Sequence, residues 1–252
     1  MERYRLELSR LSILPYYDKA LEEQYLSYKM KHEQCIWVDV ITYVNIGLHE
    51  EYYRNVKKVI EPYSLHVLVN KYNRLGEDFI PKDLEPIDEK FNPDRLFLRH
   101  DARLAFEEMC RGAEYGGLRL KAISTFRGFY YQWKIYLKDI TWNQSIEEYS
   151  RVRDRVSARP GHSEHQTGLS VDINDLEQTF EATPEGRWLA ANAHHYGFIL
   201  RYPKGKEFVT GYDYEPWHYR YIGRELAESV NYSELTYDEF YARYLYEPNR
   251  TV

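Results

Sequence analysis

Apolar and polar positions change their period several times along the chain. Leu14, Tyr17, Leu21, Tyr25, Tyr28 and Lys29 recur at steps of three and four, one stripe of a helix that Pro15 would open. Asp39 to Ile46 stops at Gly47, and His49 to Ile60 is a charged amphipathic segment closed by Glu61-Pro62, so residues 1 to 65 read as mostly helical. Leu65 to Asn70 is the first strand-like run. Residues 76–93, rich in Pro, Asp and Glu and without a period, read as a long ordered loop. His100 to Tyr115 is a helix with Leu104, Ala105, Phe106 and Met109 on its apolar face and Gly116-Gly117 as its stop.

Farther on, short alternating runs interleave with helices. Leu120 to Thr125, Leu169 to Asn174, Phe198 to Tyr202 and Trp217 to Tyr221 read as strands. In the second of these, Val171 and Ile173 share one face and Asp172 takes the other. Helices are expected over Phe129–Leu137, Ser145–Arg155, Pro184–Tyr196 and Arg224–Val230. A capping box, Thr236 with Glu239, opens a last helix toward Tyr246. No internal repeat is visible.

Composition narrows the classes. With 43% hydrophobic residues in 252, the chain can bury a core. A net charge of −6 and no long Lys/Arg run argue against nucleic acid as a partner. The longest apolar candidate, Cys35 to Leu48, is interrupted by Asp39 and Asn45, too short and too polar to span a bilayer. Met1 is followed by Glu2-Arg3-Tyr4-Arg5, with no leader-like apolar region, so the protein either stays inside or is shown as a piece of a longer chain. Cys35 and Cys110 read as ordinary apolar residues, a single disulfide being the alternative. The 26 tyrosines suit a partly wet, carbohydrate-facing surface, and equally ordinary core packing or codon bias.

The chemistry concentrates in two stretches, His162 to Asp172 and Asp213 to Tyr221. His165 and Asp172 are seven residues apart with Gly168 between them, so a loop turning there into a strand can bring both side chains to one point. His218, from another strand, would complete two imidazoles and a carboxylate, three corners of a zinc site with the fourth left for water. Glu215 would then carry a proton, provided that Pro216 bends the backbone enough to aim it at the metal. His162, three residues before His165, is a competing ligand. His194 and His195 read as packing or helix-end partners.

Ser163-x-His165-x-x-Gly168-x-x-x-Asp172, then Glu215-Pro216-Trp217-His218-x-Arg220-Tyr221, closely resembles the VanY-type zinc carboxypeptidases of the M15 peptidase class, which trim peptidoglycan stem peptides. Ser124 to Gln132 looks like a third block of that family, with Thr125-Phe126 and Gly128 as departures, and Ser170 stands where the family usually has Ala. The resemblance implies Zn2+ held by His165, Asp172 and His218, Glu215 as general base and then acid, and Arg127, Gln132, Ser163 and Tyr202 near the substrate. Trp217 is expected against the site or in the core. Arg127 could grip a terminal carboxylate, polarise the scissile carbonyl, or only form a structural salt bridge.

The implied fold is α+β, a small antiparallel sheet carrying the zinc site and flanked by helices. It would have a helical extension over 1–64, the main domain over 65–232 and a C-terminal helix over 233–252. The implied activity is removal of a C-terminal D-alanine, with L,D- and D,D-specificity both open. The alternatives are a non-catalytic wall-binding protein on the same fold, or an endopeptidase. The stem peptide would be the partner, with no stable protein partner and no membrane contact except through an anchor absent from this chain. The expected location is the outer face of the membrane or the wall of a Gram-positive cell.

Overall fold

The computed structural model describes residues 1–92 and 94–246. Three helices come first, α1 (Glu2–Ser9), α2 (Glu22–Lys31) and α3 (Trp37–Ile46). Gly47 ends α3 in the left-handed region at φ 111°. The expected single stripe from Leu14 to Lys29 is broken. Asp18 accepts a hydrogen bond from Ala20 N and starts a separate 3-10 turn, so α2 begins only at Glu22. The apolar residues still meet: Leu14, Tyr17 and Leu21 fold back onto the cluster of Leu8, Tyr25, Leu26, Val40, Ile41 and Val44. Steps of three and four marked the buried side correctly and the backbone wrongly.

His49 to Ile60 forms no helix. Tyr53 and Asn55 have positive φ, 63° and 52°, which a right-handed helix excludes. The segment turns, then gives β1 (Lys57–Lys58), parallel to β2 (Asn73–Arg74). Leu65 to Asn70 is not a strand either. Val67 and Val69 are buried in the central core, but side chains take the backbone carbonyls that a neighbouring strand would have used. Arg220 Nη2 donates to Leu65 O and Val67 O at 3.0 and 2.9 Å, and His162 Nδ1 lies 2.7 Å from Asn70 O. The stretch read as a long loop contains β3 (Leu84–Pro86), antiparallel to β4 (Phe97–Arg99); its last residue, Pro93, lies outside the described residues.

Helix α4 (His100–Tyr115) buries Ala102, Ala105, Phe106, Met109, Cys110 and Ala113, whereas Leu104 faces solvent. Around it lies the main sheet, β5 (Ala122–Ser124), β6 (Ser170–Ile173), β7 (Phe198–Leu200) and β8 (His218–Tyr221), in the antiparallel order β5-β6-β8-β7. The alternation of β6 holds: Val171 and Ile173 join the central core, along with Tyr219 of β8, its cross-strand neighbour at Val171. The other face, Ser170, Asp172, His218 and Arg220, is also buried, under polar cover.

Helices α5 (Phe129–Leu137) and α6 (Ile146–Arg153) pack through Tyr136, whose hydroxyl reaches Ser150 and Asp154 at 3.0 and 2.8 Å. Thr183 caps α7 (Pro184–Asn192), which tightens to a 3-10 turn before Gly197. Then come α8 (Glu207–Thr210), α9 (Arg224–Ser233) and α10 (Tyr237–Phe240). The capping box of Thr236 and Glu239 opens α10, which continues as a π turn over Tyr241–Leu245. Residues 247–252 of the expected last helix lie outside the described residues. Arg243 ties this end to α3 through Asp39 and Thr42, both at 2.9 Å. Cys35 and Cys110 are free thiols, and among the described residues no helix is long and apolar enough to cross a membrane.

Candidate metal centre

The register of two strands builds most of the site. Asp172 on β6 lies directly opposite His218 on β8, so both side chains leave the same face of the sheet. His218 Nδ1 stands 3.1 Å from Asp172 Oδ1. His165 comes from a 3-10 turn, Glu164–Thr167, which Gly168 ends at φ 68° before β6 begins. A side chain at Gly168 would collide with Leu84 and Arg99, so this tight exit needs glycine for space as well as for φ. The turn brings His165 Nε2 to 3.3 Å from Asp172 Oδ2.

The three side chains fit a tetrahedral metal. Their ligand atoms all lie within 4.8 Å of one another, and all three residues are buried. Zinc bonds of about 2.0–2.1 Å set neighbouring ligand atoms roughly 3.3 Å apart. Each imidazole stands at about that spacing from one Asp172 oxygen, His218 from Oδ1 and His165 from Oδ2. His165 Nδ1 is held by Thr125 O at 2.7 Å, which fixes the tautomer and leaves Nε2 free as a ligand atom. His165 Nε2 and Asp172 Oδ1 are buried and have no hydrogen-bond partner, the condition in which a cation is wanted.

Glu215 completes the cluster. It precedes β8, and the turn at Pro216, closed by His218 N to Glu215 O at 3.2 Å, carries its carboxylate back to the sheet face. Glu215 Oε2 lies 3.5 Å from His218 Nδ1. Burial, with Asp172 close by, pushes its carboxyl up to about 7 despite the attraction of His218 and Arg127. A bound dication would draw that value back down, so Glu215 qualifies as a proton carrier by its position beside the ligand set. Burial drops the His165 imidazole to about 4, helped by the Arg127 charge. His218 goes the other way, to about 9, because Asp172 and Glu164 outweigh the burial. Burial opposes the charge on Asp172, but the two imidazoles hold its carboxyl well below the ordinary carboxylate range.

Arg127 sits at the edge of the cluster, its Nη1 at 2.8 Å from Ser124 Oγ and 3.5 Å from Asp172 Oδ2, with Nε unpartnered. The Tyr202 ring lies against His218, centroids 4.9 Å apart. Ser163 is buried at the head of the 3-10 turn. Gln132, on α5, donates to Ala158 O at 2.7 Å and so braces the approach to that turn. Trp217 packs on the central core. His162 is taken elsewhere, between Asn70 O and an edge-on contact with Tyr53, and is not among the clustered ligands.

Several neighbours escaped the sequence reading. Glu164 sits between the two motif residues Ser163 and His165, and Arg201 and Arg220 both reach its Oε1, at 2.8 and 3.0 Å. Burial opposes the charge on Glu164, but the two guanidinium groups overcome it and hold the carboxyl below its usual range. Alternation could have found Arg220, two residues after His218 on the same face of β8. Nothing local points to Arg201, or to Asp238, which pairs with it from α10 at 2.6 Å.

Among the described residues, the cluster is built of two imidazoles and two carboxylates with a guanidinium at its edge. Such groups can bind a metal and move a proton, the division of labour of a metallohydrolase. Comparison with known proteins agrees. A family model described as VanY, D-alanyl-D-alanine carboxypeptidase, matches residues 95–224. YodJ of Bacillus subtilis, provisionally named a carboxypeptidase, is 34% identical over 213 residues, covering 78% of this chain and 76% of YodJ. The solved LdcB LD-carboxypeptidase superposes with a TM-score of 0.68 at 34% identity, over 75% of this chain and 91% of LdcB. A variant of the vancomycin-resistance D,D-pentapeptidase VanY, solved with Zn(II), gives a TM-score of 0.60 at 29% identity, over 71% and 98% of the two chains. The chain belongs to the VanY family of D-alanyl-D-alanine carboxypeptidases, and it is a zinc-dependent peptidase.

Proposed function

We propose that this chain removes the C-terminal D-alanine from peptidoglycan stem peptides, with His165, Asp172 and His218 as zinc ligands and Glu215 as the proton carrier. The observation that carries the reading is the placement of Glu215, 3.5 Å from His218 and beside a ligand set of metal-binding spacing. Bound zinc supplies Lewis acidity at the scissile carbonyl and makes water a better acid. Glu215 takes the proton of the attacking water and hands it to the departing amine of D-alanine, so one carboxylate serves as base and then as acid. Arg127 provides positive charge for a substrate oxygen, either the terminal carboxylate or the reacting carbonyl. Comparing a peptide acid with its amide separates the two, because only the carboxylate contact distinguishes them. Tyr202 fixes the plane of His218, Ser163 and Gln132 shape the pocket rim, and Trp217 supports the turn from beneath. Residues 1–64 form an N-terminal extension whose helices end at Ile46, 65–232 the catalytic domain, and the chain from 233 a C-terminal element.

Peptidoglycan lies outside the membrane, so the enzyme acts at the outer membrane face or in the wall of a Gram-positive cell, without a stable protein partner. Mass spectrometry of tetrapeptide and pentapeptide stems, incubated with the zinc-loaded protein with and without a chelator, tests the activity. The expected result is loss of one alanine, abolished by the chelator. The stem length consumed assigns L,D- or D,D-specificity. Intact stems of both lengths would overturn the proposal.

A further inference from the structure

Behind His218, on the side away from Asp172, lies a closed group of charges that the reaction does not use. Glu164, Arg201, Arg220 and Asp238 are each at most 1% exposed. Glu164 Oε1 receives Arg201 Nε at 2.8 Å and faces Arg220 Nη1 at 3.0 Å. Arg201 Nη1 continues to Asp238 Oδ2 at 2.6 Å, and Asp238 Oδ1 accepts from Asn70 Nδ2 at 2.8 Å. Tyr237 lies beside both guanidinium groups, 5.6 and 5.8 Å from its ring centre. Two positive and two negative charges cancel.

One carboxylate oxygen is left over. Glu164 Oε2 is buried without a hydrogen-bond partner, and so is His218 Nε2, which stands 3.9 Å from it. His218 turns Nδ1 toward Asp172 and Glu215, so Nε2 is the nitrogen left to be oriented from behind. A buried carboxylate with one oxygen unpartnered is costly, and retaining it needs a reason.

We propose that Glu164 is a positioning residue for His218, and that Arg201 and Asp238 hold Glu164 in place, so that the C-terminal element is part of the support of the metal centre. The inference rests on the metal-site reading above. Arg201 is well placed for it: its backbone N–H bonds to His218 O at 3.2 Å, so the same residue fixes the strand and the carboxylate behind the imidazole. A carboxylate against the second nitrogen of a ligating histidine fixes the ring and raises its basicity; loss of such partners typically weakens metal binding about 10–100-fold. Asp238 and Asn70 both lie outside residues 95–224, the stretch that the family model matches, so this support is built by the flanking chain.

The test is the zinc dissociation constant, measured by competition with a chromogenic chelator, together with the visible spectrum of the Co(II)-substituted protein. It compares wild type, Glu164→Gln, Asp238→Asn and Glu107→Gln, with thermal unfolding of each zinc-free form recorded. Glu164→Gln is expected to weaken zinc about 10–100-fold and to change the cobalt bands. Asp238→Asn should move both in the same direction by less. Glu107 also loses a buried ion pair, to Arg103 at 2.8 Å, but on α4 and outside the metal cluster, so its variant should lower stability and leave zinc affinity unchanged. Wild-type affinity and spectrum in both Glu164→Gln and Asp238→Asn would overturn the inference, as would an equal affinity loss in Glu107→Gln. If Glu164→Gln does not fold, Asp238→Asn decides alone. A wild-type protein that binds no zinc overturns the metal-site reading itself, and the inference with it.

Discussion

The sheet face that carries the metal cluster and the helical region that precedes it bury their side chains by opposite means. Between α1, α2 and α3 an apolar cluster of Leu8, Tyr25, Leu26, Val40, Ile41 and Val44 is held by area removed from water. Under the sheet the buried residues are Glu164, His165, Asp172, Arg201, His218 and Arg220, held by opposite charges at short range. The first arrangement tolerates small changes of shape. The second has almost none to spare, because each unpaired charge would be stranded away from water. Apolar burial builds a platform here, and charge pairing sets positions.

That contrast can be broken by experiment. The largest expected effect is at Glu215: Glu215→Gln should cut turnover by about 10²–10⁴-fold while zinc stays bound. Steady-state assay with metal analysis checks it, and an active variant would remove Glu215 from the mechanism. Next is Ile41→Ala. This fully buried residue of α3 should cost about 2–5 kcal/mol of stability in denaturant unfolding, with kcat/KM of the folded fraction unchanged. A loss of activity without a loss of stability would mean that the helical region shapes the site directly. Removing zinc is expected to lower the stability of the folded form by about 2.7 kcal/mol relative to a hundredfold excess over Kd, read as a fall in Tm that added zinc reverses.

A further effect, spread over pH 7 to 10, concerns a group that fits neither scheme. Lys71 is 1% exposed, and the carboxylates of Asp154, Glu215 and Asp213 only partly offset its burial. Its ammonium donates to Asp154 O and sits 3.8 Å from the centre of the Tyr212 ring, with Tyr53 OH at 3.3 Å. Burial lowers its pKa to about 7. The unfolded chain holds that proton up to about 10.4, so between these values the unfolded state binds more protons and stability rises with pH. Unfolding free energies measured from pH 7 to 10 should contain a slope of at most ~1.4 kcal/mol per pH unit from this residue, which Lys71→Met removes. An unchanged slope would show that Lys71 keeps its charge.

The site was more legible than the backbone that carries it. His165, Asp172, His218 and Glu215 stand close to one another along two short stretches, and metal chemistry restricts which residue types can do the work. Alternation in β6 gave the correct face to Asp172, because a strand has a fixed period. The run from Leu65 to Asn70 looked like a strand for the same apolar reason, but its partners are the side chains of Arg220 and His162, which no local pattern announces. The stripe from Leu14 to Lys29 failed at Asp18, where a carboxylate captured a backbone N–H two residues on. Arg201 and Asp238 were invisible because only the fold brings residues 164, 201 and 238 together.

The irregular run at 65–70 carries a kinetic consequence. Its carbonyls wait for Arg220, some 155 positions later, and Asn70 waits for Asp238, 168 positions later. Closing such wide loops before their contacts form is entropically slow. Contacts among the three helices at the start are local and carry no such delay, whereas the catalytic half depends on these distant closures.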